Sequence, residues 1–215
     1  MKLLKSTIKK GDMKMGVNLQ KGQKVDLTKG NDGLKTLMIG LGWDEASQPS
    51  KGFFGSLLGG GQTKNFDCDA SALLLTNGKL IGKENIVYFG NLSHNSGSIV
   101  HQGDNLTGAG DGDDEQIKIF LDRVPTNCDK IVFVVNIFQA MERKQHFGMI
   151  RNAFIRIVND KNGQEICRYN LSENHDNMTA MIFGEVYRYN GEWKFSALGQ
   201  ATADQGIGEL ARRFS

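Results

Sequence analysis

The stretch Val186–Leu198, VYRYNGEWKFSAL, holds two short runs of aromatic and aliphatic residues joined by Asn190-Gly191. Asn and Gly both tolerate the positive φ that a tight hairpin turn requires. The run EVYRY alternates apolar with polar positions, so a strand there has one dry face and one wet face. This is the clearest hairpin in the chain, and its signal recurs at Asn77-Gly78 and Asn162-Gly163. Around these turns lie further runs rich in Ile, Val, Leu, Phe and Tyr: KTLMIGLGW, ASALLLT, KLIG, NIVYFG, KIVFVVNIF, AFIRIVND, EICRYNL and AMIFGEVYRY. Repeated hairpins without strand–helix–strand alternation predict an all-β fold, an antiparallel β-sandwich with few short helices.

The helix signals are sparse. In TADQGIGELARRF, Ile207, Leu210, Ala211 and Phe214 form one apolar stripe, so a C-terminal helix is expected to pack on the sandwich. Asp204 favours its start and Arg212 and Arg213 its finish. IFQAMERKQHFG reads as a short helix or an irregular loop. EQIKIFLDRV fits either period, and its β-branched residues and its short length before Pro125 tip it to strand. Residues 47–64, SQPSKGFFGSLLGGGQTK, read as a Gly-rich loop between strands, with an apolar tip that either meets a partner or packs back.

The chain of 215 residues suits one good-sized domain, with residues 1–15 a basic arm and 16–215 the body. Residues 1–30 hold eight lysines and two acids, a balance of +6, and the rest of the chain balances at −4. Such an arm is either solvated or meets anionic lipid, nucleic acid or an acidic partner. No aromatic residue interleaves its lysines, which argues against nucleic acid. No run approaches the roughly 20 apolar residues of a membrane span, and the start lacks the apolar run of a signal peptide, so a cytoplasmic protein is expected. Cys68, Cys128 and Cys167 are too scattered for a disulfide framework or a zinc site and read as reduced, mostly buried thiols.

Against this background the segment Gly103–Glu115, GDNLTGAGDGDDE, stands out. It carries Asp104, Asp111, Asp113, Asp114 and Glu115 with no lysine or arginine. Like charges this close either take up water separately or surround a cation. Upstream, NFDCDASALLL places Asp67 and Asp69 at strand spacing, on one face, with Cys68 turned inward or aside. GLGWDEA puts Asp44 and Glu45 at the end of an apolar strand. If these strand ends meet, one end of the sandwich is a bowl of oxygens. Ca²⁺ takes six to eight oxygen ligands, and the glycines of the loop free its carbonyls to turn inward. The number of carboxylates points to two ions.

The EF-hand pattern fails. Counted from Asp104, its required polar and glycine positions fall on Leu106, Gly108 and Ala109; counted from Asp111, the glycine position is Gln116. An Asp-x-Asp metal site of the glycosyltransferase kind needs a nucleotide-binding α/β region, which is not seen. The histidines, His94, His101, His146 and His175, are scattered, and no Ser or Cys sits in a nucleophile elbow. His94 and His101 read first as polar surface residues, with a place near the acidic loop as the alternative.

Taken in order from Gly16 to Phe214, the pieces VNLQKGQKVDLTK, LMIGLGWDEA, FDCDASALLL, VYFGNLSHNSGSIVHQGDNLTGAGDGDDE, DKIVFVVNIF and NAFIRIVN resemble the TerD family of bacterial stress and tellurium-resistance proteins. The resemblance implies a compact calcium-binding β-sandwich without enzyme activity. Its acidic positions match Asp44, Asp67, Asp69, Asp104, Asn105, Asp113, Asp114 and Glu115, and Asp111 varies more. It implies resistance to tellurite, phage and toxins, through complexes with other stress proteins near the inner membrane face. Two features depart from the family pattern: the basic arm, and FDCDAS where FDLDAS is usual. A calcium-dependent docking on anionic membrane and a metal-dependent hydrolase or transferase are the competing expectations.

Overall fold

The computed structural model describes residues 16–29, 31, 33–45, 66–103, 112–173 and 175–215. The expected arm, the expected Gly-rich loop, Asp104, Asn105 and Asp111 lie outside the described residues. The elements, in chain order, are β1 (Val17–Leu19), β2 (Lys24–Asp26), β3 (Thr36–Glu45), β4 (Cys68–Leu75), β5 (Ile86–Val87) and β6 (Ile99–His101). β7 (Glu115–Phe120), β8 (Lys130–Ile137), the one-turn α1 (Ala140–Arg143), β9 (Ile150–Asn159) and β10 (Gln164–Asn170) follow. β11 (Ala180–Tyr189), β12 (Glu192–Thr202) and α2 (Ile207–Arg212) complete the chain. The strands form two six-stranded sheets, ordered β1-β10-β9-β3-β7-β6 and β2-β12-β11-β8-β4-β5. The pairs are antiparallel except for β1 on β10, which is parallel.

The hairpin read at Val186–Leu198 is β11–β12, with Tyr189 opposite Glu192. Asn190 and Gly191 have φ of 51° and 79°, and Asn77 and Gly78 have 51° and 75°, as the two-residue turn needs. Asn162-Gly163 sits instead in a four-residue connection between Asn159 and Gln164, where Gly163 alone takes a positive φ, 70°. EQIKIFLDRV is strand up to Phe120, as expected. KLIG is not a strand; only its Lys79 bridges back, to Thr76.

Alternation explains the core. Leu37, Ile39, Leu41 and Trp43 of β3, Ile117 and Ile119 of β7, and Ile155 and Ile157 of β9 face Ala70, Ala72, Phe133, Val135 and Phe183 of the other sheet. Each such side chain contributes about 1.5–3 kcal/mol by leaving water. β4 and β8 do not alternate because both their faces are covered. Leu73, Leu75, Val132, Val134, Ala180 and Ile182 form a second cluster under Leu210 of α2, with Ile207 and Phe214 beside it. The C-terminal stripe therefore packs where the sequence put it. Cys68, Cys128 and Cys167 are free and buried.

Candidate metal centre

The acidic residues are positioned strand by strand. On leaving the loop, the Asp114 N–H donates to Leu41 O at 2.8 Å. Its carboxylate accepts the Trp43 N–H at 2.7 Å. Asp114 is thus stitched to β3 and buried. Burial lifts its carboxyl above the usual range; the Trp43 N–H opposes this, and the charges of Asp44, Glu115 and Asp113 add to it. Glu115 shares a face of β7 with Ile117 and Ile119, so its carboxylate points between the sheets.

There Glu115 meets His101, whose Nε2 lies 3.1 Å from Glu115 Oε2. The same Nε2 is 3.2 Å from Ala70 O on β4. His101 Nδ1 accepts the Gly103 N–H at 3.2 Å, which places the ring proton on Nε2. His101 is 3% exposed, so its reading as a surface residue is corrected; His94 is buried as well. The signal was available: in SIVHQG, His101 has the parity of Ile99, the core face of an edge strand.

Just before β4 the Asp67 carbonyl accepts the Phe138 N–H at 2.7 Å, and the Asp67 carboxylate lies 3.4 Å from Arg143. Asp69 takes the Asn136 Nδ2–H at 3.2 Å. Between them Cys68 turns into the core. Burial first, then the charges of Asp69, Asp67, Asp114 and Glu115, push its thiol well above the ordinary value.

Asp44 stands at the same end. Between Gly42 and Asp44 the β3–β9 register slips, because β9 advances from Phe154 to Arg151 while β3 advances two residues. The extra length is a bulge at Asn152, with φ 50°, and the Asn152 amide donates to Asp44 at 2.7 Å.

Asp113 goes elsewhere. It lies on the outer face of the first sheet, where Arg156 clamps it with Nε to Oδ1 at 2.7 Å and Nη2 to Oδ2 at 2.9 Å. Gln116 adds a third bond at 3.1 Å. Gly40 makes this possible, since a Cβ there would run into the Asp113 carboxylate. The clamp was not read from the sequence, because Arg156 in FIRIV looked only like a wet strand position. Among the described residues no group of three or more His, Cys, Asp or Glu side chains is placed to hold an ion.

The fold and this end of it define a class: a two-sheet β-sandwich with buried carboxylates at the starts of β4 and β7. A family profile described as TerD domain matches residues 15–214. The chain belongs to the TerD family of tellurium-resistance and general stress proteins. It is 54% identical over 200 residues to the stress response protein SCP2 of Bacillus subtilis (strain 168), covering 93% of this chain and 100% of that one. It is 48% identical over 190 residues to the tellurium resistance protein TerD of Serratia marcescens, covering 88% and 92%. Among solved structures, a homologue of the telluride resistance protein TerD from Streptomyces coelicolor A3(2) superposes with a TM-score of 0.61 at 19% identity, over 85% of this chain and 99% of that one. At that identity it speaks for the fold alone.

Proposed function

We propose that this chain is a calcium-binding, non-enzymatic stress-response module whose acidic end is ordered by calcium, with two ions expected. One observation carries the reading: the carboxylates of Asp114 and Glu115 at the start of β7 and of Asp69 at the start of β4 are all buried. Buried carboxylates cost folding energy unless hydrogen-bond donors or a cation meet them. The donor set fits a hard ion. Its imidazole already directs Nε2–H at Ala70 O and Glu115, and Nδ1 takes Gly103 N–H. Asp44, Asp67, Asp69, Asp114 and Glu115 would hold the ions together with Asp104, Asn105 and Asp111 of the loop. Asp113 does not fit, because Arg156 takes both its oxygens. Bound calcium neutralises this end and makes it a fixed surface.

The partners in this reading are other tellurium-resistance and stress proteins, met inside the cell or at the inner membrane face. The names of the relatives support the stress and tellurite context. Among the described residues no helix is long and apolar enough to cross a membrane. The test is a calorimetric calcium titration of the metal-stripped full chain with thermal melts alongside. Two bound ions and a raised Tm are expected, by mass action on the folded state. No heat of binding and unchanged melts would overturn the reading.

A further inference from the structure

The outer face of the second sheet is covered by α2 only part of the way. Where that helix begins, at Gly206–Gly208, the cover stops, and α1 rises on the other side. Between them lies a groove of about 440 Å³. Its size suits a small ligand or one anchoring side chain. Its floor is polar where its neighbours along the same strands are apolar. Ser71 stands opposite Val134, and Asp69 opposite Asn136.

Ser71 is 1% exposed, and its hydroxyl has no hydrogen-bond partner. Buried hydroxyls almost always have one, so a partner is missing at this spot. The rim is apolar and unusually open: Met141 is 64% exposed, Phe89 46% and Phe138 39%. Met141 belongs to a single helical turn held by left-handed residues at both ends, Gln139 at φ 51° and Lys144 at φ 55°. Among the described residues that line the groove, the ionisable ones are Asp69, Glu142 and Tyr88, and no lysine or arginine is present. Phe138 already carries the Arg143 guanidinium over its ring at 5.1 Å, so this rim takes cations on its aromatic faces.

We propose that this groove docks a lysine or arginine side chain of a partner protein. The aliphatic stem lies on Phe89, Phe138 and Met141, and the cationic head reaches Ser71 Oγ and the negative floor at Asp69. A long cationic side chain is the natural occupant, since it is apolar along its stem and carries several donors at its tip. The negative charge of the groove favours a cation, and the unpartnered hydroxyl can accept one of its N–H groups.

The test uses n-butylammonium, which copies the lysine side chain, titrated into the full chain while backbone amide shifts are followed by NMR. Saturating at millimolar concentration, it is expected to move amides at 69–71, 136–142 and 205–208. Neutral butanol should bind at least tenfold more weakly, and pentanoate not at all. Ser71→Ala removes a hydroxyl that has no partner, so its Tm should stay level or rise while butylammonium affinity falls severalfold. Met141→Ala, at an exposed site, should weaken binding with Tm unchanged. Equal binding of butanol and butylammonium would overturn the proposal, as would shifts centred on the acidic loop or unchanged affinity in both variants. The titration is repeated with calcium. Asp69 also serves the proposed calcium site, so calcium that binds there should weaken the butylammonium response by competition. Failure of butylammonium to bind the calcium-free chain would overturn the proposal, whereas absence of calcium binding would leave it standing.

Discussion

The clamp between Arg156 and Asp113 decides which carboxylates remain for a cation. The Asp113 side chain is fully buried while Arg156 keeps a quarter of its surface in water. The partners are therefore not equivalent. Removing Arg156 leaves a buried carboxylate without its cation, which costs more than removing the charge on Asp113 and keeping its shape. Arg156→Met is expected to lower the unfolding free energy by about 2–3 kcal/mol, and Asp113→Asn by about 1 kcal/mol, in urea titrations with unchanged slope. Equal losses would mean that the pair acts as an ordinary surface bridge. Gly40→Ala should reproduce part of the Arg156 effect, because the new Cβ displaces Asp113 from its seat. A sequence reading counts Asp113 with its acidic neighbours, since nothing local tells which face of the sheet a loop carboxylate will cross.

Helix α2 illustrates how an element is legible when its period is long enough. Four apolar positions at helical spacing announced it, and they pack over the cluster formed by Leu73, Val132 and Ile182. Leu210→Ala should cost about 2–5 kcal/mol. The role of Asp204 differs from the expected one. Rather than acting on the helix start alone, it accepts Thr202 Oγ–H at 2.7 Å and the Arg213 guanidinium, tying the last strand to the helix end. Burial alone would raise its carboxyl, but the hydrogen bonds from Arg213 and Thr202 outweigh burial and hold it below the ordinary 3.8. A depressed carboxyl lends stability above its unfolded value and loses it as pH falls through the folded value. The Tm advantage of wild type over Asp204→Asn should therefore be present at pH 7 and shrink progressively below about pH 4. An advantage that persisted to about pH 2 would show that shape, not charge, carries the effect. β1, β2 and β6, three residues each, were invisible for the opposite reason. Three residues hold no measurable alternation, and these strands exist because a neighbouring edge offers them hydrogen bonds. At His101 the signal, its parity with Ile99, spans one short strand and carries little weight by itself.

Seen across both sheets, the three cysteines turn a sequence departure into a probe of the whole fold. Cys68 and Cys167 lie in the main core and Cys128 at its margin, all buried. Burial pushes each thiol up, with Cys167 raised to about 12, so thiolate is scarce in the native state. Cys68, buried and free, is therefore expected to be unreactive while the protein is folded. A thiol reagent should label none of the three at neutral pH until the chain opens. Because the two sheets share one core, Cys68 from one sheet and Cys167 from the other should react at a common rate set by global unfolding. That rate should fall with denaturant removal. If the calcium proposal holds, it should also fall with added calcium by the factor that the calorimetric affinity predicts, since an ion bound only to the folded state draws the equilibrium toward it. Mass-spectrometric counting of labelled cysteines against time, with and without calcium, checks both claims. Early labelling of Cys68 alone would mean that the acidic end opens by itself, and calcium would then be closing one end of the sandwich rather than stabilising the whole.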